Sequence, residues 1–371
     1  MNPLRQLSLA DLRTRGSEKW RAYPEDVLPL WVAEMDTLLA EPVREALEAA
    51  IAGGDTGYPD PEVYVEAAAG FAKARWDWAF DTDLARVVPD VMQGAMEVLH
   101  AQRAEVVVIN PPVYPPYYEY LAHTGRRIVE APLAQGRLDL AALERAFAEA
   151  RTARTSYLLC SPHNPTGTVH TAEELRAVAG LAKEHGVRVV VDEIHAPLVY
   201  DAAFVPYLSV DDDAVVLMSA SKAWNLAGLK AAVAVAGPGA ADDVTGFPEL
   251  VSMGASYFGV LSHTAAYTHG TPWLEDLLAG LDENRRLLGD LLARQLPEVG
   301  YRMPAGTYLG WLDCRGLGLG DDPAAVFLER GRVAFTAGLP FGTGGAGFVR
   351  FNFATHPDLV EEAVRRMVAS L

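Results

Sequence analysis

The chain has 371 residues, 50% of them hydrophobic, and a formal net charge of −18. This length suits about two domains, and the negative charge argues against nucleic acid or an anionic membrane as a partner. Only Cys160 and Cys314 are present, which excludes a disulfide framework and any CxxC metal or redox motif. No metal site is expected. The polar N-terminal residues and the lack of a long apolar run predict a cytoplasmic protein.

The first ninety residues predict helices before any long strand. A short apolar stretch at 29–32 runs into the acids Glu34 and Asp36. One helix is expected from Glu41 to the glycines at 53–54, with proline in its first turn, and another over 63–76. Between them, Gly57-Tyr58-Pro59 predicts a stiff loop that presents a single tyrosine.

Seven short apolar runs predict the strands of one large sheet. They lie at residues 86–89, 105–110, 127–131, 155–160, 187–192, 214–219 and 231–236. Amphipathic stretches between most of them, such as 140–151 and 172–185, predict helices. Strands that are apolar throughout are typical of a parallel or mostly parallel sheet with helices on both faces. These elements predict a large α/β domain over residues 41–271.

After residue 271 the pattern changes. A long leucine-rich helix opens at Pro272, and beyond Pro297 short strands at 308–313 and 349–353 mix with helices at 323–331 and 359–371. This mixture predicts a smaller α+β domain made of residues 1–40 and 272–371.

Polar residues follow several predicted strands, at the edge where an open α/β sheet binds ligands. Gly94 lies in a strand-to-helix turn, where a helix starting at Gln93 would offer N–H groups to an anion. Tyr114 is surrounded by four prolines, so it is either a ring held for stacking or a core residue. Asn164 lies in a tight, proline-flanked turn that directs its amide at the sheet edge.

Charged residues complete this set. Asp192 ends an apolar strand, where a carboxylate needs a cationic partner, and His195 follows three residues later. Lys222 lies between two apolar runs, so it is either a Schiff-base lysine with phosphate-binding hydroxyls beside it or a solvent-facing loop residue. Arg350 stands alone on an aromatic strand, which suits either a substrate carboxylate or a salt bridge within the fold.

Together these motifs resemble the fold-type I pyridoxal-phosphate (PLP) enzymes of the class I/II aminotransferase superfamily. The resemblance covers nearly the whole chain, and its motifs occur in this order: Tyr58, Gly94, Tyr114, Asn164, Asp192, Ser219 with Lys222, and Arg350. It implies a large, mostly parallel seven-stranded sheet domain with helices on both faces and a smaller α+β domain.

The resemblance also implies residue roles. Lys222 would bind the cofactor covalently, Asp192 would pair with its pyridine nitrogen, and Tyr114 would stack on its ring. Contacts to the 3-oxygen would come from Asn164 and His195. The phosphate contacts would come from Gly94, Ala95, Ser219, Ser221, Lys230 and, from the other subunit of a homodimer, Tyr58. The substrate would be bound by Arg350, Asn164 and Ala33, with Lys222, Asp192 and Tyr58 as catalytic residues.

Within the superfamily the chain looks most like the cystathionine β-lyase, or carbon–sulfur lyase, branch. The motifs that carry this likeness are Lys19-Trp20, the stretch 29–36, the stretch 110–116, Asp192-Glu193-Ile194-His195, the stretch 225–230 and Trp273-Leu274-Glu275. Many superfamily members have Arg where Lys230 stands, so this phosphate contact would be a point charge rather than a fork. Ala95 offers a backbone N–H and no hydroxyl.

The predicted function is therefore a PLP-dependent carbon–sulfur β-lyase acting on cystathionine or a related S-substituted cysteine. An aminotransferase that uses a keto-acid acceptor is the alternative, because the same core residues support both reactions. A PLP-fold regulatory module is disfavoured, because a protein that only binds has no need of Lys222, Asp192 and Arg350 together. A dinucleotide-dependent dehydrogenase is disfavoured because no GxGxxG follows the first strands.

Overall fold

A computed structural model describes residues 1–151 and 153–371, and its largest element is a seven-stranded sheet. The chain has strands β1 Leu28–Pro29, β2 Ala85–Val88, β3 Val106–Ile109, β4 Arg127–Glu130, β5 Thr155–Cys160, β6 Arg188–Asp192, β7 Ala214–Met218, β8 Ala232–Ala236, β9 Gly300–Tyr301, β10 Leu309–Asp313, β11 Val333–Ala334, β12 Thr336–Ala337 and β13 Phe348–Asn352. The large sheet has the order β2-β8-β7-β6-β5-β3-β4, and β8 is antiparallel to both its neighbours while the other pairs are parallel. The predicted strands and the mostly parallel sheet are confirmed.

Helices cover this sheet and extend into the second part of the fold. They are α1 Leu9–Arg13, α2 Glu18–Arg21, α3 Glu41–Gly53, α4 Pro61–Trp76, α5 Val91–Ala101, α6 Pro116–His123, α7 Leu140–Ala150, α8 Ala172–His185, α9 Asp242–Thr245, α10 Glu249–Met253, α11 Tyr257–His269, α12 Thr271–Gln295, α13 Pro323–Gly331 and α14 Pro357–Ala369. Most match the sequence pattern. The pattern did not predict α11, which packs between α3 and α4 and buries polar residues such as Ser262 and His263.

The helix after β2 begins two residues earlier than predicted. Asp90 is the N-cap of α5, and its side chain accepts a hydrogen bond from the backbone N–H of Gln93 at 2.8 Å. Gly94 therefore lies inside the helix. A Cβ at this position would lie 2.8 Å from side-chain carbons of both Val88 and Leu217, so glycine is needed for the close approach of α5 to the sheet.

The C-terminal part forms the predicted α+β unit. Its antiparallel sheet has the order β12-β13-β10-β9, and α12, α13 and α14 complete it. The N-terminal segment joins this part, because β1 pairs in parallel with β11. The division at residues 40 and 271 stays a prediction. Among the helices that the structure describes, none combines the length and apolar character that a membrane crossing requires.

The sheet register aligns the strand ends that carry the predicted site. Cys160 at the end of β5 lies opposite Asp192 at the end of β6, which in turn lies opposite Leu217 near the end of β7. The segments that follow these three strands therefore leave the sheet at one edge, as expected for a ligand site in this class of fold.

Candidate active site

A cavity of about 270 Å³ opens at this edge. Eight residues that the sequence analysis selected line it: Ala33, Tyr114, Asn164, Asp192, His195, Ser221, Lys222 and Lys230. They come from segments spread over about two hundred residues of the chain, and these side chains become neighbours only in the folded protein.

Lys222 points into the cavity from the loop after β7, and it is partly buried. Its Nζ donates a hydrogen bond to the backbone oxygen of Ala33 at 3.1 Å. Burial and the nearby positive charge of Arg350 lower the pKa of Lys222 to about 8, although Glu34 and Asp192 oppose the shift. A solvent-facing loop lysine would show neither feature, so that alternative is excluded.

Asp192 is 95% buried at the end of β6 and has two hydrogen-bond donors. The hydroxyl of Tyr117 donates to its Oδ2 at 2.9 Å, and the backbone N–H of Ile194 donates to its Oδ1 at 3.0 Å. Burial raises the pKa of Asp192 to about 6, while these two hydrogen bonds lower it. The carboxylate is thus predominantly ionised at neutral pH and can accept a further N–H from a ligand in the cavity.

Tyr117 is a site residue that the sequence analysis missed. It lies in the first turn of α6, three residues after Tyr114, and the two rings meet edge to face with centroids 5.9 Å apart. The spacing of the two tyrosines was visible in the sequence. Asp192, the partner of Tyr117, lies 75 residues away in the sequence, and only the strand order brings the two side chains together.

Arg350 is 95% buried on β13 and binds neutral oxygens only. Its Nη1 donates to Asn164 Oδ1 at 3.2 Å, and its Nη2 donates to the backbone oxygen of Trp31 at 3.0 Å and to Thr336 Oγ1 at 3.2 Å. Its Nε is buried without an acceptor. Within the described chain no carboxylate pairs with it, which removes the salt-bridge explanation and leaves the guanidinium available to an anionic ligand.

His195 and Tyr114 line the same cavity as neutral groups. Burial and the positive charges of Lys222 and Arg350 lower the pKa of His195 to about 3, and its Nδ1 is buried without a partner. Burial raises the pKa of Tyr114 to about 12. The His195 ring lines the cavity, so it is available to a polar ligand there.

The predicted phosphate contacts of Gly94 and Ala95 need correction. The N–H of Gly94 donates to the backbone oxygen of Asp90 at 2.8 Å, and Ala95 lies in the second turn of α5, where N–H groups bond within the helix. The cavity is lined instead by Val91 and Met92, whose N–H groups belong to the first turn and have no acceptor within the helix.

Ser219 is also placed differently from the prediction. Its hydroxyl donates to the backbone oxygen of Ala231 at 2.8 Å and accepts the N–H of Ser221 at 3.1 Å. Ser219 therefore holds the loop in shape, and Ser221 is the serine that lines the cavity. Tyr58 is 82% exposed and does not line the cavity of its own chain, so its predicted contact across a subunit interface stays a prediction.

A buried ion pair supports the segment that carries Ala33, which lines the cavity. Lys19 Nζ and Asp36 Oδ2 lie 2.8 Å apart, both almost fully buried, and Trp20 Nε1 donates to Asp36 Oδ1 at 2.9 Å. The Asn225 side chain donates to and accepts from the backbone of Met35, at 2.8 Å each. These contacts fix the segment that carries Ala33 and explain the Lys19-Trp20 and 29–36 motifs.

Comparisons with known proteins show the family to which the chain belongs. A family model described as aminotransferase class I and II matches residues 25–367. The chain is 52% identical to a Mycobacterium leprae protein named "Putative cystathionine beta-lyase", with 100% of this chain and 98% of the relative covered. It is 34% identical to the cystathionine beta-lyase of Corynebacterium glutamicum, with 98% and 99% covered.

A solved structure shows the same architecture. Cystalysin from Treponema denticola, whose crystal structure contains a pyridoxal 5'-phosphate cofactor, is similar with a TM-score of 0.91 and 25% identity, covering 100% of this chain and 98% of that chain. With a family model that spans nearly the whole length and relatives that match from end to end, the chain belongs to the aminotransferase class I and II family, and its fold is that of the fold-type I PLP-dependent enzymes.

Proposed function

We propose that this protein is a PLP-dependent carbon–sulfur β-lyase, which cleaves cystathionine or a related S-substituted cysteine to pyruvate, ammonia and a thiol. The observation that carries the proposal is the convergence of Lys222 and Asp192 on one cavity, with Arg350 bonded to the lining residue Asn164 and without a carboxylate partner in the described chain. The full-length similarity to proteins named cystathionine beta-lyase supports the choice of reaction.

The cavity residues fit PLP. The buried Asp192 carboxylate suits the ring N–H, and the neutral imidazole of His195, with the amide of Asn164, suits the 3-oxygen. The phosphate would be held by the N–H groups of Val91 and Met92, the hydroxyl of Ser221 and the ammonium of Lys230. Tyr114 would pack on the ring.

When bound, PLP supplies an electron-accepting ring that stabilises negative charge developing at the substrate Cα. Lys222 acts as the general base at Cα, and its pKa of about 8 is suited to gaining and losing a proton near neutral pH. The backbone oxygen of Ala33 accepts a hydrogen bond from the Lys222 Nζ and so stabilises it in its protonated form. Arg350 binds the substrate α-carboxylate, which orients the substrate relative to Lys222.

The cofactor assignment is tested by its point of attachment. Borohydride reduction of the coloured protein, followed by peptide mass spectrometry, should place the cofactor on Lys222. The Lys222→Ala variant should lose this linkage, whereas the Lys230→Met variant should keep it at Lys222. A colourless wild-type protein that binds no PLP would contradict the assignment.

The reaction is tested by omitting the second substrate of a transaminase. Cystathionine alone should give a steady release of pyruvate, because elimination needs no amino-group acceptor. An aminotransferase, the alternative that the core residues also allow, would depend strictly on an added keto acid.

Three further properties belong to this proposal. We propose a homodimer in which Tyr58 contacts the neighbouring subunit's cofactor, because this tyrosine is exposed on its own chain. The large domain comprises residues 41–271, and residues 1–40 with 272–371 form the small one. The protein acts in the cytoplasm, as its low cysteine content suggests.

A further inference from the structure

Asp90 places a negative charge at the end of the cavity where a phosphate would bind. It lines the cavity beside Val91 and Met92, the residues whose N–H groups open α5. Its Oδ1 caps the helix through Gln93, and its Oδ2 lies 2.9 Å from the ammonium of Lys230. The Asp90 side chain is 25% exposed, so a ligand entering this end meets it directly.

This arrangement differs from what an anion site requires. The helix start and Lys230 both attract an anion, but the Asp90 carboxylate neutralises Lys230 and repels any further negative charge. The helix cap does not require this charge, since Asn caps a helix about as well as Asp. The carboxylate therefore affects anion binding in a way that its capping role does not explain.

We propose that Asp90 competes with the cofactor phosphate for the ammonium of Lys230. It pairs with Lys230 in the free enzyme and must share this ammonium when a phosphate binds, so it weakens the hold on a phosphate-bearing cofactor and sets how readily the cofactor exchanges. The inference rests on the proposed PLP-dependent function for the identity of the ligand, and on the contacts of Asp90 for its direction.

The test compares wild-type protein with the Asp90→Asn variant, which keeps the cap and removes the charge. PLP titrated into the full-length, cofactor-depleted chain, followed by tryptophan fluorescence, should bind at least fivefold more tightly to the variant. Pyridoxal, which lacks the phosphate, should bind both proteins equally within twofold. Raising the salt concentration should reduce the difference in PLP affinity between the two proteins, because ions in solution screen the charge of a partly exposed carboxylate.

Two controls isolate the charge. Asp139→Asn removes the same charge from the N-cap of α7, away from the cavity, and should leave PLP binding unchanged. In a Lys230→Gln background the Asp90→Asn substitution should give a smaller gain, because the ammonium that Asp90 withholds is gone. Thermal unfolding of each variant verifies that the helix cap is intact.

A titration with inorganic phosphate distinguishes failure of this inference from failure of the proposed function. If the wild-type chain binds no PLP, the proposed function fails, but Asp90→Asn should still bind inorganic phosphate at least threefold more tightly in a calorimetric titration. Unchanged or weaker binding of both PLP and phosphate by Asp90→Asn would overturn the inference and leave Asp90 as a cap and support for Lys230.

Discussion

The guanidinium of Arg350 donates a hydrogen bond from Nη1 to the side-chain oxygen of Asn164, at 3.2 Å. Arg350 lies on β13 of the small antiparallel sheet, and Asn164 lies in the turn after β5 of the large sheet. A substrate carboxylate that binds Arg350 is therefore held beside the residue expected to contact the cofactor's 3-oxygen. This hydrogen bond links the two parts of the fold.

Arg350→Lys should damage substrate binding more than cofactor binding. A lysine keeps the positive charge but cannot form a two-point contact with a carboxylate. Since a charge-assisted hydrogen bond contributes about 1.5–3 kcal/mol, KM for cystathionine should rise about 10- to 100-fold. Steady-state kinetics measure the effect, and the visible absorbance of the bound cofactor should stay unchanged. An unaltered KM would remove Arg350 from the substrate site.

Tyr117→Phe should move the acid limit of activity to higher pH. The Tyr117 hydroxyl donates to Asp192 and lowers the pKa of this carboxylate, so its removal should raise that pKa further. Because Asp192 must be ionised to accept the ring N–H, activity should begin to fall at a higher pH in the variant than in the wild type. The pH profile of kcat/KM tests this directly.

Tyr120→Phe is the matched control for this profile. Tyr120 lines the same cavity, but its hydroxyl is not among the donors to Asp192. Its acid limit should therefore coincide with that of the wild type. If both variants shift equally, the effect belongs to the loss of a cavity hydroxyl in general and not to Asp192.

Glu193→Gln should make stability less dependent on pH. Glu193 is buried, its Oε1 accepts the N–H of Tyr207 at 2.8 Å, and its Oε2 has no partner. Burial raises the pKa of Glu193 from 4.5 to about 8. Between these values the folded chain binds more protons than the unfolded chain, so the free energy of unfolding falls as the pH rises through this window.

The size of this effect can be bounded. Each unit of pKa shift corresponds to about 1.4 kcal/mol, so wild-type protein should lose at least that much stability between pH 5 and pH 9 relative to Glu193→Gln. Urea unfolding midpoints at the two pH values measure it. Glu184→Gln, at an exposed position on α8, should behave as the wild type. Parallel pH dependence in all three proteins would contradict the prediction.

Lys19→Met should destabilise the fold strongly. It leaves the Asp36 carboxylate buried with the Trp20 donor but without its counter-ion, a change that typically costs about 3–5 kcal/mol. The control is Lys73→Met, which breaks the exposed pair with Asp77 on α4 and should cost less than about 0.5 kcal/mol. Urea unfolding compares the two, and equal losses would show that Asp36 does not depend on Lys19.

Much of the site could be predicted because its residues follow buried strands. Asp192 and Lys222 were visible in the sequence as charged residues at the ends of apolar runs. A charged group at such a position is costly to bury unless it has a partner or a catalytic role. The start of α5 was predicted two residues late, although Asp90 before an apolar turn is an N-cap signal. The glycine at 94 drew attention instead, although its role is close packing against Val88 and Leu217.

The remaining contacts depend on the tertiary structure. Tyr117 meets Asp192 across 75 residues, and Asp90 meets Lys230 across 140. No local periodicity encodes such pairs, because they follow from strand order and from the helix that each strand leads into. The roles of Lys19 and Asp36 were likewise visible only as a motif until their side chains were seen to pair inside the fold.

Quantifying the products of cystathionine cleavage distinguishes elimination from transamination at this site. Purified protein should be mixed with excess cystathionine and no keto acid, and pyruvate and homocysteine should be quantified over time. Elimination should give many turnovers per subunit, equal amounts of the two products, and no pyruvate from Lys222→Ala. Transamination would instead release neither pyruvate nor homocysteine, and it would consume more than about one equivalent of cystathionine per subunit only after a keto acid is added.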